Sequence, residues 1–210
     1  MAITDAYATA AEYRARIDKS SNADDTELDL DLEAVSRYVE FRLKRFFNID
    51  ASDITRVFAV GSQGACPPRG WRSLWITDLA AAPSSVKIDK AGTGVFTDET
   101  ALASSDFELW PLNAPLGPEP KPYTRIDIPS WSSEAAWPHG ARVQIVGTWG
   151  WPTVPAAIKR AVIDLTAILR IESPRATDRI PDELASTVTT SPTGQAIVRQ
   201  IMIAYEKRGP

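Results

Sequence analysis

Cysteine and histidine are almost missing from this chain of 210 residues: Cys66 and His139 are the only ones. One cysteine permits no internal disulfide, and one of each removes the zinc sites built on four cysteines or on two cysteines and two histidines. Any mechanism that needs two histidines, or a histidine acting on a cysteine or serine, would have to run through these single residues. No G-x-S-x-G, H-E-x-x-H or paired-carboxylate signature accompanies them, so no enzymatic activity is expected and neither a metal nor a cofactor is implied. No apolar run approaches the roughly 20 residues that span a bilayer, and MAITDAYATAAEYRARI has no basic segment followed by an apolar one. The chain is therefore expected to be soluble and cytosolic, with no membrane partner. Nor is there an excess of positive charge: 23 Lys and Arg against 27 Asp and Glu leave a net charge of -4, without the global basic footprint of a nucleic-acid binder.

What is present is ordinary globular material, 44% hydrophobic and 24% charged, enough to bury a core. Helical periodicity sits at the two ends. Residues 5–17 carry Tyr7, Ala10, Ala11, Arg14 and Ile17, a short amphipathic helix that Thr4 is placed to cap. Next, Leu28, Leu32, Val35, Val39, Leu43 and Phe46 form a stripe at helical spacing. The charges on this second helix are ordered by sign, with Asp24, Asp25, Glu27, Asp29, Asp31 and Glu33 early and Arg37, Arg42, Lys44 and Arg45 late, which suits the helix dipole at both ends.

The middle reads differently. All seven tryptophans (Trp71, Trp75, Trp110, Trp131, Trp137, Trp149 and Trp151) lie within residues 51–151, together with most of the prolines. Strand-like runs at 55–60, 73–79, 86–90, 106–110, 123–128 and 142–148 are separated by Gly, Pro, Asn and Ser breaks, as in a small sandwich or barrel. At 141–171 the period switches from two to 3.6: Val143 and Ile145 alternate with Arg142 and Gln144, then Ile158, Val162, Leu165 and Leu169 recur at helical spacing with Ala161 and Ile168 beside them. A last helix carries Ile197, Ile201 and Ala204 with Val198, Met202 and Tyr205 alongside, and Ser191 and Pro192 fit its N-cap and first turn. The expected fold class is α+β: a helical bundle formed by both chain ends (residues 1–50 and 152–210) with an inserted β-sandwich or barrel-like module (51–151). Gly147, Trp149, Gly150, Trp151 and Pro152 form the hinge that closes the insertion.

Isolated chemical signals each have a plainer reading. Asp29, Asp31 and Glu33 superficially resemble the start of a calcium loop, but the glycine and closing glutamate are missing and the residues lie inside a helix. His139, in Trp137-Pro-His-Gly140, has the setting of a turn, and Cys66 before two prolines reads as a loop thiol. Gly92-Thr-Gly94 and Gly61-Ser-Gln-Gly64 lack the lysine and strand-to-helix context of a phosphate loop. The tryptophans could stack on a sugar or single-stranded nucleic acid, although Trp75, Trp110 and Trp149 sit within or at the ends of strand-like runs and core packing explains most of the seven. The run 115–122, PLGPEPKP, should favour polyproline II, as a stiff connection or a ligand for an aromatic groove. The stretch 172–191 exceeds a routine interhelical connection.

The N-terminal helix rich in Tyr and Arg, the helix ending Arg42-Leu-Lys-Arg-Phe-Phe47, the run Asp106-Phe-Glu-Leu-Trp-Pro-Leu-Asn-Ala114 and above all the junction Gly147-Thr-Trp-Gly-Trp-Pro152 leading into a helix resemble the head-to-tail adaptor (connector) proteins of long-tailed, siphovirus-type bacteriophages. The resemblance implies a structural virion protein of the head-tail neck, assembled in the host bacterial cytoplasm. Such a protein forms a ring, usually dodecameric, beneath the portal; it extends the DNA channel and offers a surface to a head-closure (stopper) or tail-terminator protein. Carried to this chain, the portal-facing candidates are Arg199, Tyr205, Lys207 and Arg208, and removal of the chain after Ser191 should prevent docking. The inserted β module departs from the smaller, all-helical adaptors.

Two physical expectations follow. Twelve chains of -4 each carry about -48, so passing double-stranded DNA would slide without sequence-specific binding. Ring subunits need head-to-tail interfaces, for which the sign-segregated second helix is suited. Asp29, Asp31 and Glu33, with Arg42 and Arg45, are its inter-subunit candidates. The alternative function is a carbohydrate- or ligand-binding tryptophan-rich β module on a helical mount.

Overall fold

The computed structural model describes residues 6–17, 25–61, 72–134, 136–172 and 191–205. Among them it is a mixed α+β structure with four helices and two three-stranded sheets. Two compact units divide it, with the breaks between Phe47 and Asn48 and between Thr153 and Val154.

The helical unit contains α1 (Ala10–Ile17), α2 (Asp25–Leu43), α3 (Ala156–Glu172) and α4 (Pro192–Tyr205). Helix α1 begins at Ala10, later than the periodicity suggested, because Thr9 supplies a capping box; Thr4 lies outside the described residues. Glu12 N donates to Thr9 Oγ1 (3.2 Å) and Thr9 N donates to Glu12 Oε2 (2.9 Å), so two otherwise orphaned amides are satisfied reciprocally. The hydrogen bond from the Thr9 amide, followed by Lys159, outweighs burial and holds the Glu12 carboxyl below its usual range.

Helix α2 buries Leu28, Leu32, Val35, Val39 and Leu43, but the stripe stops there. Lys44 adopts φ 53, a left-handed conformation that ends the helix. Phe46, expected in the stripe, is therefore turned outward and 37% exposed, while Phe47 takes the buried position. Helix α3 buries Ile158, Val162, Leu165 and Leu169 and also Ala161, Ile163 and Thr166, because it packs against both α2 and α4. Ser191 caps α4 as expected: its Oγ accepts from Gly194 N at 3.3 Å and its carbonyl from Gln195 N at 3.0 Å.

The β unit comprises β1 (Ile54–Ala59), β2 (Ser73–Leu79), β3 (Ser85–Asp89), β4 (Glu108–Trp110), β5 (Tyr123–Asp127) and β6 (Arg142–Gly147). Two antiparallel sheets, ordered β1-β6-β3 and β2-β5-β4, contribute to a single apolar core that includes Leu74, Ile76, Val86, Ile88, Ile126, Val143 and Ile145. The expected strand at 106–110 is shorter, since Ser104–Asp106 is a 3₁₀ turn. The tryptophans divide between core and surface. In β2, Leu74 and Ile76 point inward, so Trp75, one residue out of phase, is 39% exposed. It pairs across the sheet with Arg125, which pairs in turn with Trp110, and the guanidinium lies 5.4 and 4.9 Å from the two ring centroids. Trp75 and Trp110 thus flank a cation on the sheet's outer face. The proline-rich run is not an extended rod: Ala114–Leu116 is a 3₁₀ turn, and Lys121 N reaches back to Ala114 O at 2.9 Å. A polyproline II path rises about 3.1 Å per residue and would have separated those groups widely.

Candidate functional site

The junction 147–152 belongs to the β unit and is held by backbone hydrogen bonds to two other segments of it. Beyond β6 the chain continues as a bridge between layers: Leu79 of β2 and Ile49 pair with Trp149 and Gly150 respectively. Ala80 N donates to Thr148 O (2.8 Å), Asp50 N to Trp149 O (2.9 Å) and Gly150 N to Asp78 O (2.8 Å). Trp149 is fully buried, with Nε1 donating to Ile54 O at 2.7 Å; Trp151 is buried, with Nε1 donating to Asp78 Oδ2 at 3.1 Å. Each indole thus removes a large apolar area from water while its one polar atom stays paired. Arg56, pointing inward from edge strand β1, stacks on Trp149 at 4.6 Å and donates to Thr77 Oγ1 at 2.9 Å.

The glycines here are required by space. Gly150 has φ +102, and a Cβ on it would collide with the Asn48 carbonyl oxygen. A Cβ on Gly147 would come within 3.0 Å of Leu79 Cδ1 and 3.3 Å of Pro83 Cα. The motif is therefore explained by packing and backbone pairing, and no nucleophile or titratable pair is part of it.

In the helical unit, Tyr7 draws three parts of the chain together. Its hydroxyl donates to Glu40 Oε1 and accepts from Phe47 N (2.8 Å), and its own amide donates to Ser36 Oγ (3.0 Å). Burial, reinforced by the Glu40 hydrogen bond, pushes the phenol far above its ordinary range, so it stays protonated. Phe47 meets Tyr7 edge-on at 5.7 Å and Tyr205 at 5.9 Å. Arg45 Nη1 donates to Tyr205 O at 3.3 Å, a cation at the C-terminal end of α4 where carbonyls lack helical donors.

The charged residues singled out from the sequence divide into distinct groups. Asp31 is not a surface charge: it is 5% exposed and accepts from Arg170 Nη1 at 2.9 Å, because the core stripe turns it inward. The carboxylate thus takes part in an internal ion pair with Arg170. Asp29 and Glu33 are half-buried, Arg42 is exposed with Nη2 3.9 Å from Met202 Sδ, and Arg45 holds the end of α4. Arg199 is exposed; Tyr205 is half-buried against Phe47; Lys207 and Arg208 lie outside the described residues. The periodicity gave no hint of the groove between α3 and α4, about 580 Å³, lined by four alanines together with Ile197, Ile201, Gln200, Tyr205 and the charged pair Arg160 and Asp164.

Of the other candidates, His139 is exposed in the turn before Gly140 (φ 77). Cys66, Gly64 and Trp71 lie outside the described residues, as do residues 173–190. Gly92 and Gly94 belong to a loop closed on Asp89. Its carboxylate accepts from Ala91 N, Gly92 N, Gly94 N and Thr93 Oγ1. Desolvation opposes ionisation of Asp89, but these donors outweigh it and hold the carboxyl below its usual range. Among the described residues no three His, Cys, Asp or Glu side chains form a metal-binding group, and no helix is long and apolar enough to cross a membrane.

No family model matches the sequence, and no curated protein does. Among solved structures the chain is similar to one from the neck of an empty gene transfer agent (GTA) particle computed with C6 symmetry. The two are 20% identical, with 95% of this chain and 88% of that chain covered and a TM-score of 0.49.

Proposed function

We propose that the chain is a non-enzymatic structural protein of the head-tail neck of a phage-like virion. In this reading it assembles as a ring, a dodecamer, beneath the portal, extends the DNA channel and presents a surface to a head-closure (stopper) or tail-terminator protein. The observation that carries the proposal is the junction 147–152. The run that most resembles the adaptors is one in which every unusual residue has a mechanical reason: two glycines without room for a Cβ and two tryptophans buried with paired indole nitrogens. Arg199 and the segment containing Lys207 and Arg208 are the portal-facing residues, with Tyr205 as the internal anchor from which that segment leaves. Gly147 to Pro152 act as the rigid boundary from which the helical unit departs.

Mass measurement of the full chain, alone and mixed with a portal ring, tests the proposal. A twelve-fold complex with the portal supports it; a chain that binds no portal and forms no ring overturns it. The ligand-binding alternative is weakened by where the tryptophans sit. Trp137, Trp149 and Trp151 are buried, and Arg125 lies over Trp75 and Trp110, leaving Trp131, 71% exposed, as the open indole among the described residues.

A further inference from the structure

We propose that the groove between α3 and α4 receives the first half of α2 from a second copy of this chain, with Leu30 inserted and Arg160 meeting the carboxylates that bracket it. The inference rests on the ring reading above and names the surfaces that would form that ring.

Buried Ala161 and Ile201 lie in the groove, and exposed Ala156, Ala157 and Ala204 line it with Ile197, so its approximately 580 Å³ is largely apolar space that a leucine side chain can enter. At its edge, Asp164 is already gripped in a fork by Arg16, at 2.6 and 3.0 Å. Arg160 reaches the same carboxylate at no closer than 3.9 Å, a weak i,i+4 ion pair, and its side chain is 70% exposed, so its charge remains accessible to a second partner.

The complementary surface lies on α2. At about 100° per residue, Leu30 falls opposite the buried stripe of Leu28, Leu32 and Val35, and it is 54% exposed. Glu27 and Glu33, three residues before and after it, flank it on the same face. Neither has an ion-pair partner among the described residues. They span about 9 Å of helix, against about 12 Å along α3 from Ala156 to Asp164, so the acidic pair fits within the groove's length.

Charge decides between the two exposed knobs of α2. Phe41 is larger and 79% exposed, but Arg37, Arg42, Lys44 and Arg45 surround it in sequence and would bring positive charge to Arg160. Leu30 brings negative charge. The knob and the groove are different patches of one unit, so the contact is heterologous and its repetition generates a ring or a filament.

The test uses the full chain. Glu27→Lys with Glu33→Lys, and separately Arg160→Glu, should each weaken self-association about tenfold, read from sedimentation over a concentration series, and combining all three should recover most of that loss. In a Cys66→Ser background, Leu30→Cys paired with Ala157→Cys should give intermolecular disulfide ladders on mild oxidation, while either cysteine alone should stop at dimers. Circular dichroism keeps misfolded variants out of the comparison. Oligomers that form without the ladder, or ignore the charge reversals, or are not rescued by the combination overturn this interface and leave the neck reading standing. A chain that remains monomeric both alone and with a portal ring overturns the neck reading and this interface together.

Discussion

Replacing Gly150 with alanine should be the most damaging single-methyl change in the β unit. Two costs combine. The backbone at φ +102 is one that an L side chain adopts only with strain, of order 1–3 kcal/mol. The added Cβ also meets the Asn48 carbonyl oxygen, so the segment containing Asn48, Ile49 and Asp50 must retreat. That retreat puts the hydrogen bond from Asp50 N to Trp149 O at risk, and a compensating shift of residue 150 endangers the one from its N to Asp78 O, at roughly 1 kcal/mol each. The sum is about 3–5 kcal/mol, a large fraction of the stability of a domain this size.

Two other glycines calibrate the experiment. Gly140 has φ +77 but open space around its Cβ position, so Gly140→Ala should cost only the backbone term, roughly 1 kcal/mol. Gly147 has no positive φ but a tight fit against Leu79 and Pro83, and alanine there should cost roughly 1–3 kcal/mol as overpacking. Urea unfolding followed by tryptophan fluorescence reports on the β unit, since all six described tryptophans lie in it. The expected order of destabilisation is Gly150, then Gly147, then Gly140. A Gly150→Ala protein within 0.5 kcal/mol of the wild type, or more stable than Gly140→Ala, would refute the reasoning.

Other outcomes can be stated briefly. Because the folded pKa of Asp89 is depressed, its contribution to stability is complete above the ordinary aspartate range and is lost as pH falls through the folded value. Amides 91–94 should therefore gain hydrogen exchange in acid, and Asp89→Asn should flatten that dependence; an unchanged profile would count against the loop's closure on this carboxylate. Tyr7→Phe leaves the buried Phe47 N–H without its acceptor and should cost about 1–3 kcal/mol in the helical unit, read by amide exchange in α2, where wild-type protection would contradict the network. Removing residues 206–210 should preserve the fold and abolish portal docking, and wild-type docking by that chain would remove the segment from the portal interface. Pro152→Gly should leave unfolding of the β unit within about 1 kcal/mol of wild type while widening the range of orientations between the units in solution scattering; an unchanged scattering profile would show that the junction's stiffness lies elsewhere.

Much of the secondary structure is legible because hydrophobic period is a local signal. Both long helices and the sheet strands show it, and the cap at Ser191 is written in a Ser-Pro pair. The N-terminus of α1 is equally local: Thr9 and Glu12 form a T-x-x-E capping box, which outranks an apolar pattern begun at residue 5. The end of α2 is not legible in the same way. Lys44 enters the left-handed region without the glycine or asparagine that would advertise it, and one such residue rotates everything after it, so Phe46 and Phe47 exchange roles. Trp75 shows the opposite problem: the alternation of Leu74 and Ile76 already assigns it to the outer face, and only its size suggests burial. Asp31 and Arg170, 139 residues apart, meet through the packing of α2 on α3, which local pattern does not specify.

The same geometry changes which experiments isolate assembly from folding. Truncation after Ser191 would remove all of α4, whose Val198 and Ile201 are buried in the helical unit, so lost docking could reflect a lost fold rather than a lost contact. Alanine at both Trp149 and Trp151 has the same defect. Each buried tryptophan costs about 3–5 kcal/mol when truncated, and two together approach the entire stability of a typical domain. The double variant should therefore unfold the β unit, not merely loosen it. A mechanical junction must be probed where the side chain is least committed. In this chain that directs perturbation away from the two indoles, toward Pro152, half-buried, and toward the segment beyond Tyr205.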